Sequence, residues 1–387
     1  MLKVTRITRN EEFLALRETW NQCLRHSDHD TVFLTWDWLY TWWEVYGVNK
    51  DLSILIFRDD DGQCVGIAPF CVAHERAFGI PIRVMKLIGS EEVCSEYLDV
   101  IVHKARANDV KRATAVYLQS AAVRWDILFF SDVREDSNIG AILNEWSRTN
   151  KTTIHERIQT TNPFLRLPGR EEVYLAGLGQ NRRGSIQRKA RKLEREHGFV
   201  ISSITDGSDL DKAFAAFVAL HQRAWTSRGL PGMFKRRRFL EFHHRIARRF
   251  AASDWLRLWF LLTGNTAVAS LYGFHYRDTF YYYQSGFDPD WKPYGVGMVL
   301  LNHTILEAIR SNLNEYDFLR GDAAYKWDFT NTFRHTREII AGGATYKARL
   351  YLAQRDMRRS ARGAARRLLP RRLAERASKI RDHLVLR

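Results

Sequence analysis

Two clusters in the second half of the chain carry residue types suited to chemistry. The first is Lys292-Pro-Tyr-Gly295-Val-Gly297-Met298, which follows three strand-like runs and precedes an amphipathic stretch. A strand feeding a glycine-containing turn that opens a helix leaves several backbone N–H groups unpaired and pointing one way. Those donors and the helix dipole together favour an anion such as phosphate. The second cluster is Tyr316-Asp317-Phe-Leu-Arg320-Gly-Asp322-Ala-Ala-Tyr325-Lys326. Within it, Asp317 and Asp322 are the candidates to take a proton from an attacking group. Asp322 follows a glycine at a strand end, where side chains tend to face a cleft; Asp317 sits inside an apolar strand. A carboxylate acts as a base only if desolvation raises its pKa towards neutrality. Each is also explained as an ion pair or turn cap, with Arg320 or Lys326 as partner.

The elements that must hold these clusters are legible from periodicity. Leu256–Leu262, Thr266–Tyr276 and Thr279–Ser285 are rich in β-branched and aromatic residues, and Thr263-Gly264-Asn265 is a tight-turn signal. After the glycines, Leu301, Ile305, Ala308 and Ile309 fall on one helical face. The same order occurs earlier. A hairpin around Gly62 mirrors the one around Gly264, and Trp125-Asp-Ile-Leu mirrors Tyr316-Asp-Phe-Leu. We therefore expect two copies of one α/β unit. The first copy has no Gly-x-Gly turn, which points to a structural or acceptor-positioning role. The expected domains are 1–161 and 162–354, joined by the Asn162–Gly169 linker, with a basic helical tail over 355–387.

Lys292, Gly295 and Gly297 fit the spacing of the pyrophosphate loop of the acyl-CoA-dependent GNAT acyltransferases, which the chain resembles. Lys stands where that family usually has Gln or Arg, which keeps a cation but loses the planar fork. Tyr282-Tyr-Gln-Ser-Gly-Phe-Asp-Pro and Asp317-Phe-Leu-Arg-Gly-Asp322-Ala-Ala-Tyr-Lys326 resemble more specifically the CelD/BcsL-type branch, which is associated with cellulose and other exopolysaccharide synthesis. That branch is related to the Fem-type aminoacyltransferases. The resemblance implies tandem GNAT-like domains, each a mixed, largely antiparallel sheet flanked by helices. It also implies acetyl-CoA or another acyl-CoA as co-substrate, with direct transfer to an amine or hydroxyl. Such a transfer needs a positioned thioester, a stabilised oxyanion and removal of a proton. The amides of Gln284, Ser285, Gly286 and Phe287 would face the pantetheine and carbonyl, and those of Val296, Gly297 and Met298 the pyrophosphate. Tyr325 would protonate the departing thiolate, and Lys326 matches the lysine of the Fem-type motif, which stabilises developing charge.

Composition narrows the alternatives. With 45% hydrophobic and 13% aromatic residues the chain is globular. Cys23, Cys64, Cys71 and Cys94 are scattered without metal-type pairing, and no secretory pattern opens the sequence, so buried reduced thiols in a cytoplasmic protein are expected. No metal is expected either, since His243 and His244 lack a ligand partner at helical spacing. No Gly-x-Ser-x-Gly or Walker loop is present. His275, His303 and His335 are possible bases, although a lone His is more often structural.

The net charge of +16 is uneven: Arg355–Arg387 holds eleven arginines and one lysine against three acids. That tail suits an anionic membrane face or an acidic partner such as a synthase complex, or simply a solvated helix. Gln180–His197 carries Arg182, Arg183, Arg188, Lys189, Arg191, Lys192 and Arg195 on a helix with a thin apolar stripe. It is either a rim for CoA phosphates, an RNA contact or a solvated face. Four tryptophans between Trp36 and Trp43 line either a sugar or lipid site or the core. Three readings follow. The first is an acyltransferase acting on a sugar or envelope precursor; the second, a Fem-type enzyme using aminoacyl-tRNA; the third, a non-catalytic scaffold for a polysaccharide synthase.

Overall fold

The computed structural model describes residues 2–120, 124–150, 152–207, 209–342 and 345–368. They form two compact units, Met1–Thr161 with His335–Arg387 and Asn162–Arg334. The chain enters unit 1 with β1 (Lys3–Ile7), α1 (Asn10–Leu14), α2 (Arg17–Arg25) and α3 (Trp36–Tyr46). The antiparallel run β2 (Lys50–Arg58), β3 (Cys64–Ala77) and β4 (Ile80–Leu87) follows. Next come the short β5 (Ile101–Val102), α4 (Ala107–Gln119), β6 (Ile127–Arg134), α5 (Asn138–Asn150) and β7 (Ile154–Arg166). β7 carries the chain into unit 2, which continues with α6 (Glu171–Gly177), α7 (Gln180–His197), β8 (Val200–Ile204), α8 (Leu210–Thr226) and α9 (Arg237–Ala252). A second antiparallel run, β9 (Leu256–Thr263), β10 (Thr266–Tyr276) and β11 (Thr279–Phe287), precedes α10 (Val296–Arg310) and β12 (Glu315–Asp317). β13 (Phe333–Gly342) returns the chain to unit 1, where α11 (Tyr346–Leu368) follows.

The repeat seen in the sequence is present in both topologies. Each unit has a strand, helices, a three-strand antiparallel run, a helix and then a strand parallel to the last of the run. That final pairing is β4 with β6 in unit 1 and β11 with β12 in unit 2. In unit 1 the strand order is β1-β2-β3-β4-β6-β13-β7, and in unit 2 it is β7-β12-β11-β10-β9-β8. The expected class, a mixed and largely antiparallel α/β architecture flanked by helices, is what the chain adopts.

Two expectations need correction. The expected linker Asn162–Gly169 begins as strand, because Phe164, Leu165 and Arg166 pair with β12. Pro163 is tolerated there since its carbonyl, not its missing N–H, is used: it accepts from the Phe318 amide. The segment 335–354, expected in the second domain, packs with the first, because β13 pairs with β6 from Thr336 to Gly342. In the run Tyr97–Val102 only Ile101–Val102 is strand; Tyr97 is left-handed, with φ +60°. The tail reading falls largely on residues 369–387, outside the described residues.

The tryptophans of α3 are core. Trp36, Trp38, Trp42 and Trp43 are all buried, and Thr35 caps the helix by accepting from the Trp38 amide. Of the cysteines, Cys23 and Cys71 are buried and Cys64 and Cys94 half-buried.

Unit 1 also holds a carboxyl that reports on pH. One oxygen of Glu92 is buried without a hydrogen-bond partner, and Lys50 Nζ stands 3.7 Å from the other. Burial pushes this carboxyl from 4.5 up to about 7, against the opposing charge of Lys50. Between those values the folded chain holds a proton that the unfolded chain has released, so stability falls as pH rises through the interval. Glu92→Gln is therefore expected to melt a few degrees above the parent at pH 8, with the gap closing towards pH 4.5. A gap that calorimetry finds independent of pH would contradict this.

Candidate active site

The site grows from a mismatch between two strands of unit 2. β12 is short, and its parallel ladder with β11 covers only Thr279–Tyr281 against Glu315–Asp317. From Tyr282 to Phe287, β11 keeps β10 on one side and, among the described residues, has no strand on the other. Tyr283 is the extra residue of a bulge opposite Tyr272 and Gly273, and a bulge bends the strand that carries it. The result is a notch whose wall includes Gln284, Ser285, Gly286 and Phe287. Gly286 is required by the element behind it: a Cβ there would lie 2.3 Å from the His221 amide of α8.

The notch opens towards the start of α10. Pro289–Tyr294 forms a 3₁₀ turn, Gly295 takes the left-handed conformation (φ +62°), and α10 begins at Val296. Gly295 O accepts from the amides of Met298 and Val299, closing the first turn. Gly297 has almost nothing in front of it; a Cβ there would meet only Phe287 Cδ1, at 3.8 Å. The inner face of α10 (Val299, Leu300, Leu301, Ile305, Ala308 and Ile309) packs into a core with Phe280, Tyr282 and Tyr316. That burial fixes the first turn in place.

α7 runs beside this turn and brings cations to it. It is anchored by Ile186 and Leu193, whose burial contributes roughly 1.5–3 kcal/mol each. Lys189 lies directly on Gly295: a Cβ on that glycine would sit 2.4 Å from Lys189 Cδ and 2.9 Å from its Nζ. Arg182 Nη1 lies 2.9 Å from Met298 Sδ in the first turn of α10, and the same guanidinium pairs with Asp328. Lys192 stands over the ring of Tyr294, 4.7 Å from its centroid. Lys292 is exposed. The sequence placed a cation at 292, whereas the fold adds Lys189 from 103 residues earlier.

The second cluster forms the facing loop. Asp317 is fully buried and accepts from the Leu319 amide at 2.7 Å, so it caps a turn. Lys326 is 5% exposed and donates to the carbonyls of Phe318, Leu319 and Arg320 at 2.8, 3.0 and 2.6 Å. Its ammonium protons are thus directed at the loop. Tyr325 reaches the notch, with its hydroxyl 3.2 Å from that of Tyr282, which in turn lies 2.6 Å from Ser285 Oγ. As a residue Tyr325 is 40% exposed, yet its hydroxyl packs against a tyrosine that is only 7% exposed. Loss of hydration raises the pKa of both phenols, which keeps them protonated at neutral pH. Asp322 is exposed, and its carbonyl accepts from Trp327 Nε1 at 3.3 Å.

The fold therefore brings Gln284–Phe287, Gly295–Met298 and Tyr325 to one notch, with Asp322 on its facing loop, and turns Asp317 and Lys326 inward. The histidines lie elsewhere. His275 meets Arg257 at 3.2 Å, His303 sits along α10 at 3.9 Å from Glu307, and His335 meets Thr161 in unit 1. His243 bonds Tyr283 and His244 bonds Asp211, each at 3.0 Å. A hollow of about 700 Å³ opens in unit 1 beside Trp43. Its Arg6, Arg9 and Lys50 are matched by Glu11, Glu44 and Asp51, so it has no charge preference.

Residues 180–327 match the family described as Acetyltransferase (GNAT) domain. No curated protein matches the chain in sequence. In fold the chain is similar to a crystal structure of FemX, with TM-score 0.60 and 8% identity, covering 87% of this chain and 96% of that one. It is also similar to a conserved protein of unknown function from Bacteroides thetaiotaomicron VPI-5482, with TM-score 0.53 and 14% identity over 89% and 100% of the two chains. L-PGS from Bacillus licheniformis gives TM-score 0.51 and 10% identity over 87% and 96%. At such identities the likeness is one of fold.

Proposed function

Starting from a GNAT-type acyltransferase domain at residues 180–327, we propose that the protein transfers an acyl group, acetyl in the first instance, from acyl-CoA to an amine or hydroxyl of a saccharide. The observation that carries the donor is the open face at Gly297 between a left-handed glycine and a cationic helix. Amides of Val296 and Gly297 receive the diphosphate, that of Met298 being already given to the Gly295 carbonyl, and Lys189 supplies the counter-charge. The unpaired edge of β11 at Gln284–Phe287 aligns the pantetheine and polarises the thioester carbonyl. The acceptor atom bonds to the carbonyl carbon as the C–S bond breaks. The phenol of Tyr325, backed by Tyr282 and Ser285, gives its proton to the leaving sulfur. Asp322 is the carboxylate open to the acceptor and holds the attacking group by a hydrogen bond; being exposed it is not a desolvated base, and the proton that the acceptor loses passes to water. The saccharide rests on the resemblance to the CelD/BcsL-type branch. The cytoplasmic face of a membrane, reached through the basic tail, is the location we propose.

Calorimetry with acetyl-CoA tests the donor. Lys189→Met is expected to weaken binding on the order of tenfold, the worth of one charge-assisted contact of about 1.5 kcal/mol. The same change should leave acetyl-pantetheine, which lacks the diphosphate, unaffected as a donor. Equal losses for both donors would remove Lys189 from the phosphate grip. The exposed arginines of α7 favour a second reading, an aminoacyl-tRNA donor. That reading requires tRNA affinity to fall steeply with salt, and flat binding would dismiss it.

A further inference from the structure

The loop facing the notch holds large aromatic side chains in water. Among the described residues of unit 2, the exposed large aromatics are Tyr325 at 40%, Trp327 at 37% and Phe333 at 48%. All three fall within nine residues of sequence. Trp327 and Phe333 meet edge to face with centroids 5.8 Å apart, and Tyr325 is the residue whose hydroxyl enters the notch. Leaving such surface wet opposes folding, and the loop that does so is held firmly. Leu319 is left-handed at φ +54° and Gly321 has φ +99°. Lys326 is spent on three carbonyls of this loop. Arg182 ties Asp328 in the same loop to the first turn of α10. A strained backbone kept in place by a buried ammonium and a cross-link to the donor turn is a feature of functional loops.

We infer that Trp327, with Tyr325 and Phe333, forms the acceptor platform of this site, and that its ligand is a saccharide. This rests on the acyltransferase reading above. A pyranose has an apolar face of C–H groups that stacks on an aromatic ring, and a rim of hydroxyls that needs acceptors. The rings are present, and Asp322, exposed on the same loop, is held next to Trp327 by its backbone carbonyl, which accepts from Nε1. Charge around the rings is mixed: Arg228 lies over the Phe287 ring of the notch, 5.7 Å from its centroid, and the facing loop carries two carboxylates. Asp322 is exposed, and Asp328 already engages Arg182. Two rings in edge contact and a third whose hydroxyl enters the notch, with Asp322 and Asp328 in the same loop, do not make the continuous apolar surface that a lipid tail requires.

The test uses the full chain and two probes, cellohexaose and a glucosamine hexamer, titrated directly by calorimetry without any donor present. At least one hexamer is expected to bind. Trp327→Ala should weaken it on the order of tenfold, while acetyl-CoA affinity stays within about twofold. Trp327→Phe should restore most of the loss, which a merely misfolded loop would not do. Phe333→Ser, at a second exposed ring, should weaken the hexamer in the same direction. Two outcomes overturn the inference: neither hexamer binds a protein that binds acetyl-CoA, or Trp327→Ala leaves hexamer affinity unchanged. Failure of acetyl-CoA to bind would instead strike the donor assignment, and the hexamer titration would still decide the platform.

Discussion

Gly297→Trp is expected to abolish acetyl-CoA binding and leave the fold as it is. The two halves of that expectation have separate causes. Gly297 is the second residue of α10, and its φ is not among the positive values of this chain, so any L-residue fits the backbone. A Cβ there meets only Phe287, at ordinary contact distance. Replacing a helical glycine gains a few tenths of a kcal/mol in propensity. The indole, however, must occupy the space in front of the first-turn amides, where the diphosphate is to lie. We expect the dissociation constant to rise more than about a hundredfold, some 2.7 kcal/mol, with the melting temperature within about 2 °C of the parent. Gly297→Ala should bind nearly as the parent does, which makes the loss a matter of bulk. Gly295 is a poorer probe, because a side chain there is strained at φ +62° and collides with Lys189. Unchanged calorimetric titration of acetyl-CoA into Gly297→Trp would end the donor assignment.

The contrast between those two glycines shows what the sequence conveys and what it does not. A glycine pair after a strand and before an apolar periodicity of 3.6 is local information, and the turn, the helix and its buried face at Leu301, Ile305, Ala308 and Ile309 all follow from it. The duplicated unit was legible for the same reason, since each hairpin and each helix–strand step has its own period. Position across the fold is different. Nothing between residues 180 and 197 says that Lys189, rather than one of six other cations on that helix, lands on Gly295. Likewise, a strand continues through Asn162-Pro163 because β12 offers it an edge, and that edge arrives about 150 residues later. Asp317 and Lys326 look like reactive groups in sequence. In the fold their polar atoms point at backbone a few residues away, which one-dimensional spacing does not reveal.

Lys326→Met carries the second large effect, and it separates two roles that the sequence left together. If the ammonium stabilises charge at the reacting atoms, its loss lowers turnover and spares stability. The geometry assigns the opposite order. The three ammonium protons are donated to Phe318, Leu319 and Arg320, and methionine has the volume but none of the donors. Carbonyls left without donors cost about 1–3 kcal/mol each when buried, partly relieved where water reaches them at Arg320, so a total of about 3–5 kcal/mol is expected. For a domain of this size that lowers the melting temperature by roughly 10 °C. Tyr325 precedes Lys326 directly and depends on it to meet Tyr282, so turnover should fall more than about tenfold even well below the melting temperature. Acetyl-CoA affinity should change far less, because the amides of α10 are set by a different core. A Lys326→Met protein that melts like the parent yet has lost turnover would move that ammonium from the loop to the reaction itself.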